Sequence, residues 1–431
     1  MWSLLKGEGH RIQQLHMTHV TLEAESVLAL LQALPANALE HCKIDISMPE
    51  NNRQQILSLF SGDGRRLRSL YLSRVPFLPS NTFPRLTSLI LDLSYSREDP
   101  RWNLRDLQNF LAGSPDLERL HLSWVWRTAG PHPPNVSDDT HRVVLPHLRT
   151  FTLNLHSRFI GTAVPMILSI VELPHACQIQ LNQVRLNDLQ AMSPSLLSLG
   201  RPLTRMRLAL GATFHDPAGS PSWDWSLVLA SRQADCAAIR LVLEPVDMRH
   251  APNPLGAAFS KLPLFADVEE LWYSSSALLR QVLLPPKVRG LALSIQSWAP
   301  SFVHGYLAHV ARVCAKLDTL CICVPNAEHL RDVREALTSA GPNGRPRCRA
   351  IRRVAVGYDR PSARLSRGAI SLRDCGAGTE VSWTGRIARL SGAEMETEME
   401  RLLRAAPQVL EEPASIQASW PTWPGFLLHS Y

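Results

Sequence analysis

Nine residues with large polar or aromatic side chains recur in step through the middle of the chain, and their types fit recognition of a protein partner. Arginine and tryptophan are enriched in interaction hot spots, because each combines a large contact area with directed polar groups. The alternative interpretation is a polar strand face that meets only water. The candidate partner-binding residues are Arg119, His121, Gln178, Gln180, Asn182, Arg205, Arg207, Arg240 and Trp272.

These residues occupy fixed places in a short pattern, which residues 67–75, LRSLYLSRV, show most clearly. Leucines stand at the first, fourth and sixth places of this pattern, and a strand alternates its side chains between two faces. Leu70 and Leu72 therefore share one face, while the third, fifth and seventh places share the other. One such strand cannot bury its apolar side alone, so it needs neighbours with the same pattern.

The same pattern recurs along most of the chain. Successive starts are mostly 27 to 34 residues apart, with two shorter steps of 19 and 20. A period in the twenties with the pattern L-x-x-L-x-L is typical of leucine-rich repeats, which stack into a solenoid. The starts are Ile12, Leu39, Leu67, Leu86, Leu117, Leu148, Ala176, Leu203, Cys236, Val268, Val288, Leu317 and Ile351.

The predicted fold is an α/β leucine-rich-repeat solenoid, with a curved parallel sheet on the concave face and helices on the convex face. Helical spacing of apolar residues predicts helices over residues 22–34, 49–60, 104–111, 302–314 and 327–339. Polar, proline-containing stretches predict irregular segments at residues 94–103, 127–142, 212–226 and 245–255.

Three parts of the chain follow from this pattern. Residues 1–11 are an N-terminal cap or a truncated end, and residues 12–359 are a solenoid of about thirteen repeats. Residues 360–431 hold a degenerate repeat or hairpin, a C-terminal cap and a tail.

Composition narrows the environment of the protein. Apolar residues make up 45% of the 431 residues, the formal net charge is +7, and no apolar run reaches the length of a membrane span. Residues 1–11 contain no signal-peptide core, and the eight cysteines form no paired framework. We therefore expect a cytoplasmic or nuclear protein without a membrane partner.

Signatures of enzymes and cofactors are absent from the sequence. It contains no phosphate-binding loop, serine-hydrolase elbow, zinc-protease motif or dinucleotide fingerprint, so a binding module rather than an enzyme is predicted. Cys321 and Cys323 share a strand face, yet no further ligands are spaced for a metal, and we expect neither metal nor cofactor.

Two further stretches could contact a partner. Residues 345–373 are rich in arginine, but Tyr358 is the sole aromatic residue among them, so nucleic-acid binding is not expected and a solvated face is favoured. Trp223 and Trp225 alternate as strand residues do, which indicates either an anchor for a partner or packing of a loop against the solenoid.

The strands LRSLYLSRV and LERLHLSWV, with the linking phrases FPRLTSLILDL and LPHLRTFTLNL, resemble the leucine-rich-repeat region of fungal F-box proteins. The resemblance covers about residues 12–356. In that family the solenoid recognises a protein substrate, and an N-terminal F-box module docks it to the adaptor of a cullin–RING ubiquitin ligase. The resemblance therefore implies a protein-binding scaffold that captures its partner on the concave face.

Two departures from the family pattern qualify that expectation. The first strand is predicted at Ile12, so we expect no F-box ahead of it, and adaptor binding only if an F-box is missing from this chain. Valines such as Val75 and Val184 replace the usual asparagine or cysteine at the ninth place. The alternatives are a leucine-rich-repeat regulator of a GTPase or nuclease, and an orphan fragment without independent function.

Overall fold

The structure is a computed structural model of the chain. It describes residues 7–18, 24–46, 58–75, 77–93, 104–124, 141–155, 160–200, 203–213, 222–230, 238–243, 261–274, 285–294, 317, 319–326, 353–360 and 380–383. The chain divides into two compact units, Met1–Leu199 and Gly200–Tyr431.

The first unit alternates strands with helices. Its strands are β1 (Gln14–Thr18), β2 (His41–Asp45), β3 (Ser69–Ser73), β4 (Ser88–Leu93), β5 (Arg119–Trp124), β6 (Val143–Val144), β7 (Thr150–Leu155), β8 (Val171–Glu172) and β9 (Gln178–Val184). Its helices are α1 (Ala24–Ala33), α2 (Leu104–Ala112), α3 (Ile160–Ile170) and α4 (Leu186–Leu197). Short 3-10 turns cover Gly9–Arg11 and Phe60–Gly62.

The strands of the main sheet follow one another in chain order. Within the described residues of this unit, the order is β1-β2-β3-β4-β5-β7-β9, and every neighbouring pair is parallel. A separate two-stranded ladder joins β6 to β8. The expected α/β architecture with a large parallel sheet is therefore confirmed.

The register keeps each place of the pattern in line across the sheet. Leu15, Cys42, Leu70, Leu89 and Leu120 are successive partners at the fourth place, and all are buried. Leucines at the first place are also buried, with Leu67, Leu86 and Leu117 each 0% exposed. Apolar side chains of the same places thus build one continuous core, and at roughly 1.5–3 kcal/mol per buried side chain this burial is a dominant stabilising term.

The turn before each strand also repeats. The amide N–H of Leu67 donates to the carbonyl of Gly64 at 3.0 Å, and that of Leu86 donates to Phe83 at 3.0 Å. The residue at the second place then bonds to its counterpart one strand away, as in Arg68 N–H to Glu40 carbonyl at 2.8 Å. These bonds extend the pairing ahead of the strands and fix the register.

The prediction at Ala176 is off by one residue. Ala176 is exposed, whereas Cys177 is fully buried and makes the turn bond to the Pro174 carbonyl at 3.0 Å. Gln178 nevertheless keeps the third-place register opposite Thr150. The pattern tolerates the shift because it acts on the buried turn position and leaves the strand alternation unchanged.

Residues in left-handed backbone conformation lie at or just past the ends of two of the strands. Arg74 after β3 and Gln183 near the end of β9 both have a φ of 58° and stand at the eighth place of the pattern. Each is followed by a buried ninth-place valine, Val75 or Val184. The positive φ turns the chain so that the valine enters the core.

The helices agree with the sequence in part. Predicted helices 22–34 and 104–111 are confirmed as α1 and α2, whereas α3 and α4 were not predicted. Both contain a proline, Pro165 or Pro194, and proline in a helix interior is a strong helix breaker in sequence patterns. Residues 302–314, 327–339, 94–103, 245–255 and most of 49–60 and 127–142 lie outside the described residues.

The second unit begins with longer strands. It contains β10 (Arg205–Thr213), β11 (Ser222–Ala230), β12 (Ile239–Leu243), β13 (Glu270–Ser274), β14 (Gly290–Ser294), β15 (Thr319–Asn326), β16 (Arg353–Arg360) and β17 (Glu380–Trp383). Parallel pairing joins β10, β13, β14, β15, β16 and β17 in that order. A 3-10 turn covers Pro263–Phe265.

A hairpin interrupts the parallel order. Strand β11 pairs antiparallel with β10 on one side and with β12 on the other, so the order is β12-β11-β10-β13. The predicted irregular segment 212–226 is therefore wrong at residues 212–213 and 222–226, which belong to β10 and β11. Strand β12 does not lie between β10 and β13. Trp223 and Trp225 alternate with polar residues in SWDWS, a two-residue period that drives strand formation across the predicted loop.

Close approach of two strands explains one glycine of the second unit. Gly290 is the register partner of Glu270, and a Cβ added at Gly290 would lie 3.3 Å from Glu270 Cγ. Glu270 is a buried carboxylate, 5% exposed, so the missing side chain makes room for it. At the far end, β17 runs parallel to β16, which fits the degenerate-repeat alternative rather than a hairpin for that strand.

Candidate recognition surface

The third, fifth and seventh places form three rows across the strand face of the first unit. The third-place row reads Gln14, His41, Ser69, Ser88, Arg119, Thr150 and Gln178. The fifth-place row reads His16, Lys43, Tyr71, Ile90, His121, Thr152 and Gln180, and the seventh-place row reads Thr18, Asp45, Ser73, Asp92, Ser123, Asn154 and Asn182. Side chains from distant parts of the sequence therefore meet on one surface.

The rows differ in exposure along the sheet. Gln178 at the β9 end is exposed, and Arg119, His121, Gln180 and Asn182 are half-buried. The five predicted residues of this unit thus lie on two strands, with Arg119 and His121 on β5 and the other three on β9, and β7 stands between these strands. Solvent reaches this end of the face, which is the condition for binding a partner there.

The centre of the face departs from the expectation of an open polar surface. Ser69 and Ser88 are 8% and 1% exposed, and Tyr71 and Ile90 are each 7% exposed. In the third-place row the two serines stand side by side, between His41 on β2 and Arg119 on β5. A uniformly solvated strand face is therefore wrong for β3 and β4.

An interaction chain links charged groups across this buried centre. The Lys43 ammonium lies 4.7 Å from the centroid of the Tyr71 ring, a cation–π distance. The Tyr71 hydroxyl donates to Asp92 Oδ2 at 3.5 Å, the long limit of a hydrogen bond. The three residues sit on β2, β3 and β4 and tie these strands together above the apolar core.

An ion pair closes one end of the same cluster. Arg74 Nε donates to Asp45 Oδ1 at 2.7 Å, and both side chains are less than one-fifth exposed. The backbone N–H of Arg74 also donates to the Asp92 carbonyl at 2.8 Å. Arg74 follows β3 in left-handed conformation, and it forms hydrogen bonds with β2 on one side of β3 and with β4 on the other.

Burial changes the protonation of the basic groups. Desolvation lowers the pKa of His121 to about 4, and the Asp92 charge opposes that shift. Desolvation also lowers the pKa of His16, where Lys43 adds to the effect and Asp45 opposes it. The pKa of Lys43 is lowered by desolvation against the attraction of Asp45 and Asp92. The face therefore carries a neutral His121 at neutral pH.

An amide pair marks the β9 end. Gln180 Nε2 donates to Asn182 Oδ1 at 2.9 Å, and Asn154 is the register partner of Asn182 on β7. The Asn154 Oδ1 atom is buried and has no hydrogen-bond partner in the described part of the chain. This end is thus rich in uncharged donors and acceptors, which suit polar contacts with another polypeptide.

The predicted residues of the second unit are placed on its strands. Arg205 is the register partner of the buried Glu270, and Arg207 is the partner of Trp272. Arg240 is half-buried and pairs with Val228 of β11, which separates it from Arg207 on β10. Val228 of the hairpin therefore stands between Arg207 and Arg240, whereas Arg207 directly neighbours Trp272.

Sequence reasoning missed Arg74 as a member of the cluster. The signal was present, since Asp45 at the seventh place of one repeat and Arg74 at the eighth place of the next have opposite charges. The alternation rule assigned eighth-place residues to the core side, and the positive φ of Arg74 breaks that rule. A local backbone turn is what brings its guanidinium to Asp45.

Comparison with known proteins does not assign the chain to a family. The chain matches no protein-family model and no curated protein. Among the described residues, no helix is both long and apolar enough to cross a membrane. In the same part of the chain, no group of three or more His, Cys, Asp or Glu side chains is arranged to hold a metal ion.

Proposed function

We propose that this protein is a leucine-rich-repeat scaffold that binds a protein partner on its strand face. The observation that carries the proposal is the register, which aligns the third, fifth and seventh places of seven successive described strands into rows. Rows of this kind present side chains of many repeats as one extended surface, which is how repeat proteins bind partners.

The β5–β9 end of the first unit is the part of the face best suited to contact. Gln178 is exposed, and Arg119 and Gln180 are half-buried, so they can be covered further when a partner binds. Arginine supplies a planar group for carboxylates and for main-chain oxygens, while the amides pair with peptide groups. A polypeptide partner fits this mixture better than a small charged ligand.

The resemblance to the substrate-recognition solenoid of fungal F-box proteins supports a role in substrate capture. On this proposal the partner is a substrate of a ubiquitin ligase, and the ligase adaptor binds only through an F-box. Affinity purification with and without added purified adaptor tests this part separately. Adaptor that co-purifies directly with the isolated chain would contradict the dependence on an F-box.

A photo-crosslinking experiment tests the strand-face site. A benzoylphenylalanine at Gln178 is expected to crosslink a defined partner protein, and Arg119→Glu in the same chain is expected to abolish that crosslink. The matched control places the photo-crosslinker at Gln190, an exposed position on α4. The same proteins captured from both positions, or capture that is insensitive to Arg119→Glu, would contradict the assignment.

A further inference from the structure

Four exposed arginines form a basic patch at the amino ends of two neighbouring strands, away from the predicted strand-face residues. The segment directly before β3 contains Arg65, Arg66 and Arg68, and the segment directly before β4 contains Arg85. All four are exposed, and no carboxylate of the described residues lies within salt-bridge distance of any of them. We call these four residues the arginine patch.

Backbone hydrogen bonds hold the two turns of the patch side by side. Arg66 and Arg85 each stand directly before a buried first-place leucine, in equivalent turns. The carbonyl of Arg68 accepts bonds from the N–H groups of Thr87 at 2.8 Å and Ser88 at 2.9 Å, and from Thr87 Oγ1 at 3.0 Å. Equivalent backbone positions in the two turns are therefore about one strand spacing, roughly 5 Å, apart.

The surroundings limit the extent of positive charge. Asp63 lies within the first turn, and its Oδ1 accepts the Arg65 backbone N–H at 3.4 Å, so the local net charge is smaller than four. At the equivalent turns on either side stand Glu40 before β2, and Asp116 and Glu118 before β5. The basic strip is thus about two strands, roughly 10 Å, wide and has acids at both ends.

We propose that the arginine patch binds a short acidic segment of a protein partner. Guanidinium groups bind carboxylates through paired hydrogen bonds, and exposed arginines lose less hydration on binding than lysines do. An extended peptide with alternate acidic residues places a carboxylate about every 7 Å, so two of them fit the strip. The flanking acids repel a longer polyanion.

Nucleic acid fits the same patch less well. Affinity for nucleic acid grows with the number of phosphates contacted, and a strip of this width between acids offers few contacts. Base stacking needs exposed aromatic rings, and Phe83, the aromatic residue of the second turn, is fully buried. The geometry therefore favours carboxylates over a phosphate backbone.

Fluorescence anisotropy on the full chain tests the proposal. The probe is a fluorescein-labelled peptide with two alternate glutamates in a Gly/Ser context, and its counterpart carries two glutamines at the same positions. The glutamate peptide is expected to bind, to weaken as NaCl rises from 50 to 200 mM, and to bind at least about tenfold more weakly to Arg66→Glu/Arg85→Glu. The glutamine peptide is expected not to bind.

A matched charge change elsewhere separates a local site from general charge. Arg105→Glu/Arg142→Glu alters two other exposed arginines and is expected to change affinity by no more than about twofold. Arg66→Gln/Arg85→Gln removes charge without adding acids, and a similar loss from this variant with an unchanged thermal melt excludes misfolding. Equal losses from the patch and control pairs, no binding to the wild type, or tighter binding of a twelve-nucleotide single-stranded DNA would overturn the proposal.

Discussion

The two compact units use the same strand pattern but arrange their strands differently. In the first unit the described strands of the main sheet are neighbours in chain order, whereas in the second β11 stands between β10 and β12. In both units, each predicted start of the pattern is followed two or three residues later by the beginning of a strand. The pattern therefore determines where a strand forms, while the connection between strands determines which strand becomes its neighbour.

The largest effect is expected when the shared core position is changed in each unit. Leu89 and Leu291 both occupy the fourth place and are both 0% exposed. Replacing either by alanine removes buried methylenes and leaves a cavity, which should lower the free energy of unfolding by about 2–5 kcal/mol. Urea unfolding followed by circular dichroism measures the change.

Gln178→Ala is the control for these core variants. Gln178 stands at the third place and is exposed, so its replacement should change the free energy of unfolding by less than about 0.5 kcal/mol. The comparison between units would fail if Leu291→Ala resembled Gln178→Ala while Leu89→Ala was strongly destabilising, because the pattern would then build a core in one unit alone.

The strand positions could be predicted because they depend on local alternation. Leu70 and Leu72 point to the core wherever the chain runs next, and the same holds for Leu291 and Leu293. Neighbour relations depend on long-range pairing, which the six-residue pattern does not contain. The stretch SWDWS alternates as strand residues do, but its local sequence does not indicate that it forms an antiparallel pair with β10.

A designed cross-link tests the hairpin directly. Ala209 and Ser226 are register partners in the antiparallel pair, so their Cα atoms lie within the range that a disulfide bridges. Ala209→Cys/Ser226→Cys should oxidise to a bond and raise the free energy of unfolding by about 3 kcal/mol through closure of a short loop. Mass spectrometry of proteolytic fragments identifies the bond among the native cysteines.

A second cysteine pair tests the alternative arrangement, in which β12 would pair directly with β10. If β12 lay directly beside β10, the seventh places Ala209 and Val242 would be partners, and Ala209→Cys/Val242→Cys would oxidise instead. With β11 between them the two positions are two strand spacings, about 10 Å, apart, which is too far for a disulfide. Efficient oxidation of this second pair would refute the hairpin.

The candidate surface shows the same division between local and long-range information. Sequence placed Lys43, Tyr71 and Asp92 on one face, and the register brings them into contact. Their burial could not be predicted, because it depends on what surrounds each side chain in three dimensions. The separation of Arg207 from Arg240 likewise follows from the hairpin, which the repeat pattern did not contain.

The smallest effect is expected in the pH dependence of stability. It should arise from the fifth-place row of the first unit, which contains titratable residues. The first unit carries His16, Lys43, Tyr71 and His121 in this row, whereas β14 of the second unit has Ala292 between Trp272 and Cys321. His121 has a pKa of about 4 in the folded chain, against about 6.5 when unfolded. A stability change between these two values should therefore arise in the first unit.

The sign follows from which state binds the proton. Above about pH 6.5 His121 is neutral in both states, so it adds no pH dependence; below that value the unfolded chain takes up a proton that the folded chain refuses. The free energy of unfolding should thus fall by about 1–3 kcal/mol as pH drops from about 6.5 to about 4, and this contribution should level off below. His121→Gln should remove that part of the slope in urea unfolding, whereas the exposed His147→Gln should retain it. Parallel pH curves for wild type and His121→Gln would show that the imidazole is hydrated, and that the buried centre of the face does not extend to β5.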